Sequence, residues 1–137
     1  MGSVSAADRP LLLDTVAFIF WHADSHRLSS AARVALSEAP GRAVYVSTAT
    51  AFEISTKVRL GKLTVPPAIL NDFAYVVAVD GFRLLEVDAI SAIRAGQLPG
   101  AHRDPFDRLI CAQARTIGAA VVTNDWAFAD LGADVFW

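Results

Sequence analysis

A single cysteine, Cys111, stands in the 137 residues, so the chain cannot close an internal disulfide and must be held by burial and hydrogen bonding. That economy fits a reducing cytoplasm, and the apolar setting Leu109-Ile110-Cys111-Ala112 reads as core. No cysteine pair accompanies the three histidines, His22, His26 and His102, which argues against a zinc site. Apolar runs are short. The longest, from Leu11 to Trp21, is interrupted by Asp14 and falls short of the roughly 20 residues of a membrane span. Arg9 before it mimics a signal peptide, but Asp14 and the lack of a small-residue cleavage site oppose export. Nor is there excess positive charge: 12 Lys and Arg face 14 Asp and Glu, a formal net charge of −2. Any nucleic-acid partner must therefore be held by a local basic surface or through a bound cation. Repeats, low-complexity tracts and linkers are missing, so residues 1–137 read as one domain, with 1–9 a flexible lead outside the fold.

What the chain does have is acids at chosen places. Asp14 follows Leu11-Leu12-Leu13, Glu53 ends the segment from Ser47, Asp104 and Asp107 bracket Pro105-Phe106, and Asp125 follows Val121-Val122-Thr123-Asn124. Short β-like runs are expected at Leu11 to Leu13, Ala43 to Val46, Phe82 to Val87, Ala119 to Thr123 and Ala133 to Phe136. They are mostly continuous in hydrophobicity, as for strands covered on both faces.

Helical patterns lie between these runs. Ser29-Ser30 caps one through Ala32, Ala35 and Leu36; another runs from Ser47-Thr48 to Leu60-Gly61; a third opens at Pro66-Pro67 and turns at Asp80-Gly81. Asp88 caps a short helix through Ala95, and Asp104 a long one reaching Ile117, with Gly118 as its stop. Alternating strands and helices imply an α/β fold with a mainly parallel sheet, whose ligands sit beyond the carboxyl ends of the strands. The acids would then converge on one edge, where crowded carboxylates repel one another unless a hard cation sits among them.

Each acid also has a plain reading. Asp14, Asp104 and Asp125 stand at helix starts, where aspartate is a favoured cap; Glu53 has capping-box spacing from Thr50 and an i,i+4 partner in Lys57; Asp107 falls at the third helical position after Asp104. Capping alone does not explain why separate segments deliver acids to one edge, nor why Glu53 and Asp107 adjoin apolar faces.

These residues resemble a known family. Leu11-Leu12-Leu13-Asp14-Thr15, the stretch from Ser47 through Glu53 to Lys57 with Leu60-Gly61-Lys62-Leu63, the stretch from His102 through Asp104-Pro105-Phe106-Asp107-Arg108 to Ala114, and Val122-Thr123-Asn124-Asp125 look like a PIN-domain protein of the VapC toxin type. The resemblance covers nearly the whole chain, and Asp-Pro-Phe-Asp-Arg is its most specific piece. It implies a three-layer α/β/α fold and a Mg²⁺- or Mn²⁺-dependent endoribonuclease, the toxin of a type II toxin–antitoxin pair. Asp14, Glu53, Asp107 and Asp125 match its catalytic, metal-binding acids. Asp104 is a further metal ligand, a supporting acid or only the helix cap, and Thr15 and Thr123 match hydroxyl residues that orient a carboxylate or a water. Water attack on an RNA phosphodiester would leave a 5′-phosphate and a 3′-hydroxyl. The implied partners are an RNA substrate, a cognate VapB-like antitoxin and a second copy of the chain in a homodimer.

Lys57, Arg59, Lys62, Arg103 and Arg108 border the acids in sequence and are candidate RNA contacts, or else a solvated rim. Trp126 beside Asp125 is a candidate for stacking on a base, although it and Trp21 read first as packing residues. Phe18, Phe20, Leu28 and Leu36, and the region from Leu60 to Leu70, are candidate apolar surfaces for a partner, with core packing the competing account.

Three rivals stand beside this reading. Histidine acid–base cleavage without metal is one. A haloacid-dehalogenase-type phosphatase lacks its second aspartate, since Val16 stands there. A non-catalytic PIN-like or receiver-like module that binds metal, RNA or a partner is the third.

Overall fold

The computed structural model describes residues 8–100 and 104–137. The chain runs β1 (Leu11–Leu13), α1 (Thr15–His22), α2 (Ser30–Ser37), β2 (Val44–Ser47), α3 (Thr48–Arg59), α4 (Pro67–Asn71), α5 (Phe73–Val79), β3 (Arg83–Leu85), α6 (Ala89–Gln97), α7 (Pro105–Ile117), β4 (Ala120–Val122), α8 (Ala127–Asp130) and β5 (Val135–Phe136). The strands pair in parallel in the order β3-β2-β1-β4-β5.

Side chains alternate across the sheet, so each face has its own core. Leu11, Leu13, Val44, Val46 and Val122 pack with Phe18, Leu28, Leu36, Ile54, Ile69 and Val77 on one side. Leu12 and Val121 pack with Ile110, Cys111, Ala114, Phe128 and Leu131 on the other. The result is three layers, α/β/α. Among the described residues no helix is long and apolar enough to cross a membrane.

This order positions the site. From β1 the chain moves outward through β2 to β3, then returns to lay β4 on the other side of β1. The connections after β1 and β4 therefore diverge, which opens a crevice at their carboxyl ends. Leu13 is level with Val46 and Val122, so Asp14, Ser47 and Thr123 leave the sheet at one height.

Two sequence expectations need correction, and one helix was not expected at all. The helix opened by Pro66-Pro67 is two helices, broken at Asp72 (φ −150°, ψ 49°), where aspartate, a weak helix former, leaves the helical region with no side-chain bond capping α5. The strand expected from Phe82 to Val87 pairs only over Arg83–Leu85. Beyond it, side chains replace the ladder: Gln113 Nε2 donates to the Leu85 and Glu86 carbonyls, and Thr48 Oγ1 accepts from Val87 N–H. The four residues of α8 are too few to show a helical period in sequence. Gly118, by contrast, ends α7 in the expected left-handed conformation (φ 70°).

Candidate metal centre

Asp14 comes to the crevice because β1 ends there. Its N–H donates to the Val122 carbonyl at 3.1 Å, which joins it to the neighbouring strand, and its Oδ1 accepts from Ala17 N–H at 2.6 Å as the cap of α1. The cap reading is thus correct, yet incomplete: the side chain is buried, with only 5% of the residue exposed. Burial pushes its pKa up from 3.8 to about 6, against the lowering pull of the Thr123 side chain and the Ala17 amide, and the negative charges of Asp107 and Glu53 push it further upward.

Glu53 lies on α3 and is likewise buried, at 6% exposed. The capping box with Thr50 does not form. Ser47 Oγ caps α3 by accepting from Ala49 N–H at 3.0 Å, so Thr50 falls inside the helix, fully buried, with its Oγ1 3.2 Å from that of Thr15. Glu53 Oε2 accepts from the Lys57 ammonium at 2.6 Å, as the i,i+4 spacing suggests, whereas Oε1 is buried without a hydrogen-bond partner. An orphan carboxylate oxygen in the interior is costly unless a cation or donor reaches it.

The remaining acids come from the helix after residue 103 and the turn after β4. Asp104 Oδ1 accepts from the N–H groups of Phe106 (2.9 Å) and Asp107 (3.2 Å), so it does cap α7, with Asp107 in the first turn. The Asp125 N–H donates to Thr123 Oγ1 at 3.0 Å, and its Oδ1 accepts from Ala127 N–H at 2.9 Å. Asp14, Thr15, Glu53, Lys57, Asp104, Asp107, Asn124 and Asp125 line one cleft of about 430 Å³.

A divalent cation fits this donor set. The lining carboxylates are hard oxygen ligands suited to Mg²⁺ or Mn²⁺, burial makes Asp14 harder to ionise than a free aspartate, and Glu53 Oε1 has no donor. The gathering is looser than a closed site: among the described residues no three acidic, histidine or cysteine side chains are close enough to grip an ion together. The backbone bonds at Asp14 and Asp125 each engage one oxygen, and Lys57 holds Glu53, so chelation calls for side-chain adjustment.

The candidate RNA contacts separate. Lys57 lines the cleft, half-exposed; Arg59 and Lys62 are exposed near the end of α3. Arg108 donates from Nε to the Ala95 carbonyl at 3.0 Å and from Nη2 to that of Leu98, which ties α7 to the end of α6. His102 and Arg103 lie outside the described residues. His22 packs on the Phe18 ring, with centroids 4.5 Å apart, and its Nε2 lies 3.3 Å from Asp80 Oδ2 without a hydrogen bond. Burial lowers its pKa while Asp80 raises it, and His26 is exposed.

Of the proposed partner surfaces, Phe18, Leu28 and Leu36 are core, while Leu60 and Leu70 are exposed. Trp126, read first as a packing residue, is 75% exposed because the short α8 turns it outward; Trp21 does pack, against Phe82. The sequence offered Thr50 only as a cap for Glu53 and gave Gln113 no role. Buried Gln113 accepts from Ser47 Oγ at 2.5 Å and so braces the cap that sets α3 and Glu53. Its one signal is an amide in the middle of the buried face of α7.

Comparison with curated protein sequences gives no match. Among solved structures, the chain is similar to a component of VapBC2 from Rickettsia felis bound to a promoter DNA fragment (16% identity, 93% of this chain and 97% of the other, TM-score 0.66). It is also similar to one of FitAB bound to an IR36 DNA fragment (21%, 92% and 93%, 0.65). A third likeness is to FitAcB from Neisseria gonorrhoeae (22%, 93% and 96%, 0.63). At these identities the likeness is one of fold. The PIN domain profile matches residues 11–134, nearly the whole chain, and with the acids of the crevice in place the chain belongs to the PIN domain family, a family of nucleases.

Proposed function

We propose that this protein is a metal-dependent endoribonuclease, a VapC-type toxin restrained by a VapB-like antitoxin. The observation that carries the reading is the pair of buried carboxylates, Asp14 and Glu53, at a crevice shared with three further acids, one of their oxygens left without a partner. Capping accounts for Asp14, Asp104 and Asp125 one by one but not for burying Asp14 near a Glu53 oxygen that has no partner, which a hard cation relieves. The toxin–antitoxin complexes among the structural neighbours support the partner.

In this reading Asp14, Glu53, Asp107 and Asp125 hold Mg²⁺ or Mn²⁺, with Asp104 as a further ligand or as the cap that keeps Asp107 in place. A cation bound there supplies charge to the phosphoryl oxygens of RNA and lowers the pKa of an attacking water. Thr123 steadies the Asp14 carboxylate, and Thr15 with Thr50 fixes α1 against α3. Lys57 pairs with Glu53 and would be free to meet the phosphate backbone if a cation took its place; Arg59 and Lys62 add charge at the rim. Residues 1–137 act as one domain in the cytoplasm, as a homodimer. Leu60, Leu70 and other exposed apolar residues such as Tyr75 and Val79 offer surface for the second copy or the antitoxin.

A panel of RNAs with Mg²⁺ or Mn²⁺ tests this. Cleavage should be abolished by chelator and by Asp107→Asn, leave 5′-phosphate and 3′-hydroxyl ends, and be accompanied by a manganese anomalous peak among Asp14, Glu53, Asp107 and Asp125 in soaked crystals. Cyclic phosphate ends formed in chelator would overturn it. The Lys57 ammonium on Glu53 favours a second reading, a module that binds RNA or a partner without cutting. Metal-dependent binding with no cleavage of any RNA would select that reading.

A further inference from the structure

Beside the acidic cleft lies a second, smaller one of about 270 Å³, lined by Thr123, Asn124, Asp125, Trp126, Val135 and Trp137. Its lining is mainly apolar, and the two clefts share Asn124 and Asp125, so one turn of backbone is the wall between them. On that wall stands Trp126, the most exposed large apolar side chain among the described residues, at 75%. Tryptophan is on average well buried, so an indole left in water forgoes the burial that its large apolar surface favours.

The backbone beneath Trp126 is not loose. Thr123 Oγ1 accepts from Asp125 N–H, Asp125 Oδ1 accepts from Ala127 N–H, and the Trp126 carbonyl accepts from Ala129 N–H at 3.0 Å as α8 begins. Trp137 on the other side is steadied by Phe20, its ring edge-on at 6.4 Å. Two indoles, one on a hydrogen-bonded turn and the other held by an edge-on aromatic contact, therefore flank a slot that opens beside the acidic cleft.

We propose that this slot is a nucleobase subsite: Trp126, with Trp137, stacks on one unpaired base of the RNA whose scissile phosphate lies at the acidic cleft. The inference rests on the nuclease reading and deepens it by naming what holds the substrate. Every base has a π-face, so such a site favours single-stranded or looped RNA over a duplex, in which the base is already stacked. Lining Thr123 and Asn124 offer the polar atoms that could grade one base against another.

The test uses the full chain and an RNA oligonucleotide that it cleaves in Mn²⁺. Abasic nucleotides placed one at a time beside the scissile phosphate should reveal one position where loss of the base weakens binding about 5- to 150-fold, the range of one stacked base. Trp126→Ala should weaken the intact oligonucleotide by a similar factor, add little to the abasic penalty, and be rescued by Trp126→Phe. Its residual kcat should change less than its KM. In cleavage-dead Asp107→Asn, the intact oligonucleotide should quench tryptophan fluorescence more than its abasic counterpart. If RNA is cut but no abasic position matters, or if Trp126→Ala and the abasic penalty simply add, the subsite is wrong and the nuclease stands. If no RNA is cut at all, the nuclease reading fails first.

Discussion

The two ends of the sheet carry charge on opposite terms. At the amino end Arg9 meets Asp134 at 2.6 Å with side chains 35% and 68% exposed, and the Arg9 and Arg42 guanidiniums also donate to the carbonyls of Gly118 and Arg9. Opposite charges there are paired and wet. At the carboxyl end like charges are collected and partly dried: Asp14 and Glu53 are at most 6% exposed, three less buried acids line the same cleft, and Lys57 alone among the described lining residues is basic. A surface pair contributes little to stability, whereas buried like charges lower it unless something else binds. One end closes the fold; the other gathers charge at a cost to stability.

The sharpest way to break this contrast is to neutralise the carboxyl end. Asp14→Asn or Asp107→Asn should lower RNA cleavage by at least about 100-fold, the scale of losing one group that stabilises transition-state charge. The circular dichroism spectrum should remain unchanged, since asparagine caps a helix as well as aspartate does. Activity equal to wild type would remove the acids from the chemistry.

The pH dependence of stability comes next in size. Asp14 has a folded pKa of about 6 against an ordinary 3.8, so its favourable contribution is complete below about 4 and is lost as pH rises through 6. The lost amount is at most about 3 kcal/mol. Metal-free Asp14→Asn should therefore gain stability over wild type as pH is raised from 5 to 7.5, as read by urea melts. Mn²⁺ should close that gap at pH 7.5 by stabilising the wild type only. A gap independent of pH would mean that Asp14 is not strained by its surroundings.

Gln113→Ala should cost about 1–3 kcal/mol, because it strands Ser47 Oγ and two carbonyls inside the protein. It should also weaken Mn²⁺ binding, since the Ser47 cap sets α3 and Glu53. The smallest effect belongs to the amino end. Arg9→Ala or Asp134→Asn should change stability by no more than about 1 kcal/mol, less in high salt, and leave cleavage alone. A larger loss there would erase the distinction between the two ends.

Much of the architecture was legible because its signals are local. Ser29, Asp88, Asp104 and Gly118 sit where the structure caps or stops helices, and the continuous apolar runs became the strands of the parallel sheet. The break at Asp72 escaped because one weak helix former does not override a continuing helical pattern, and the short β3 and four-residue α8 because they depend on bonds between distant residues or on too few residues for a period to emerge. The acids that line the cleft could be named in advance, since each follows an apolar run or opens a helix. Their burial could not. The capping-box spacing of Thr50 and Glu53 was misleading, because Ser47 starts the helix three residues earlier and carries Glu53 inward.

By itself the sequence determined the order of elements and which acids stand at strand ends and helix starts, because hydrophobic period and capping are written within a few residues. Only the tertiary structure decided that β4 returns beside β1, that Glu53 Oε1 is left without a partner, that Arg108 is tied to carbonyls of α6, and that Trp126 faces water beside Asp125. Solvation, and with it the electrostatic strain on a charge, is a property of everything packed around a group, and no short stretch of chain contains it.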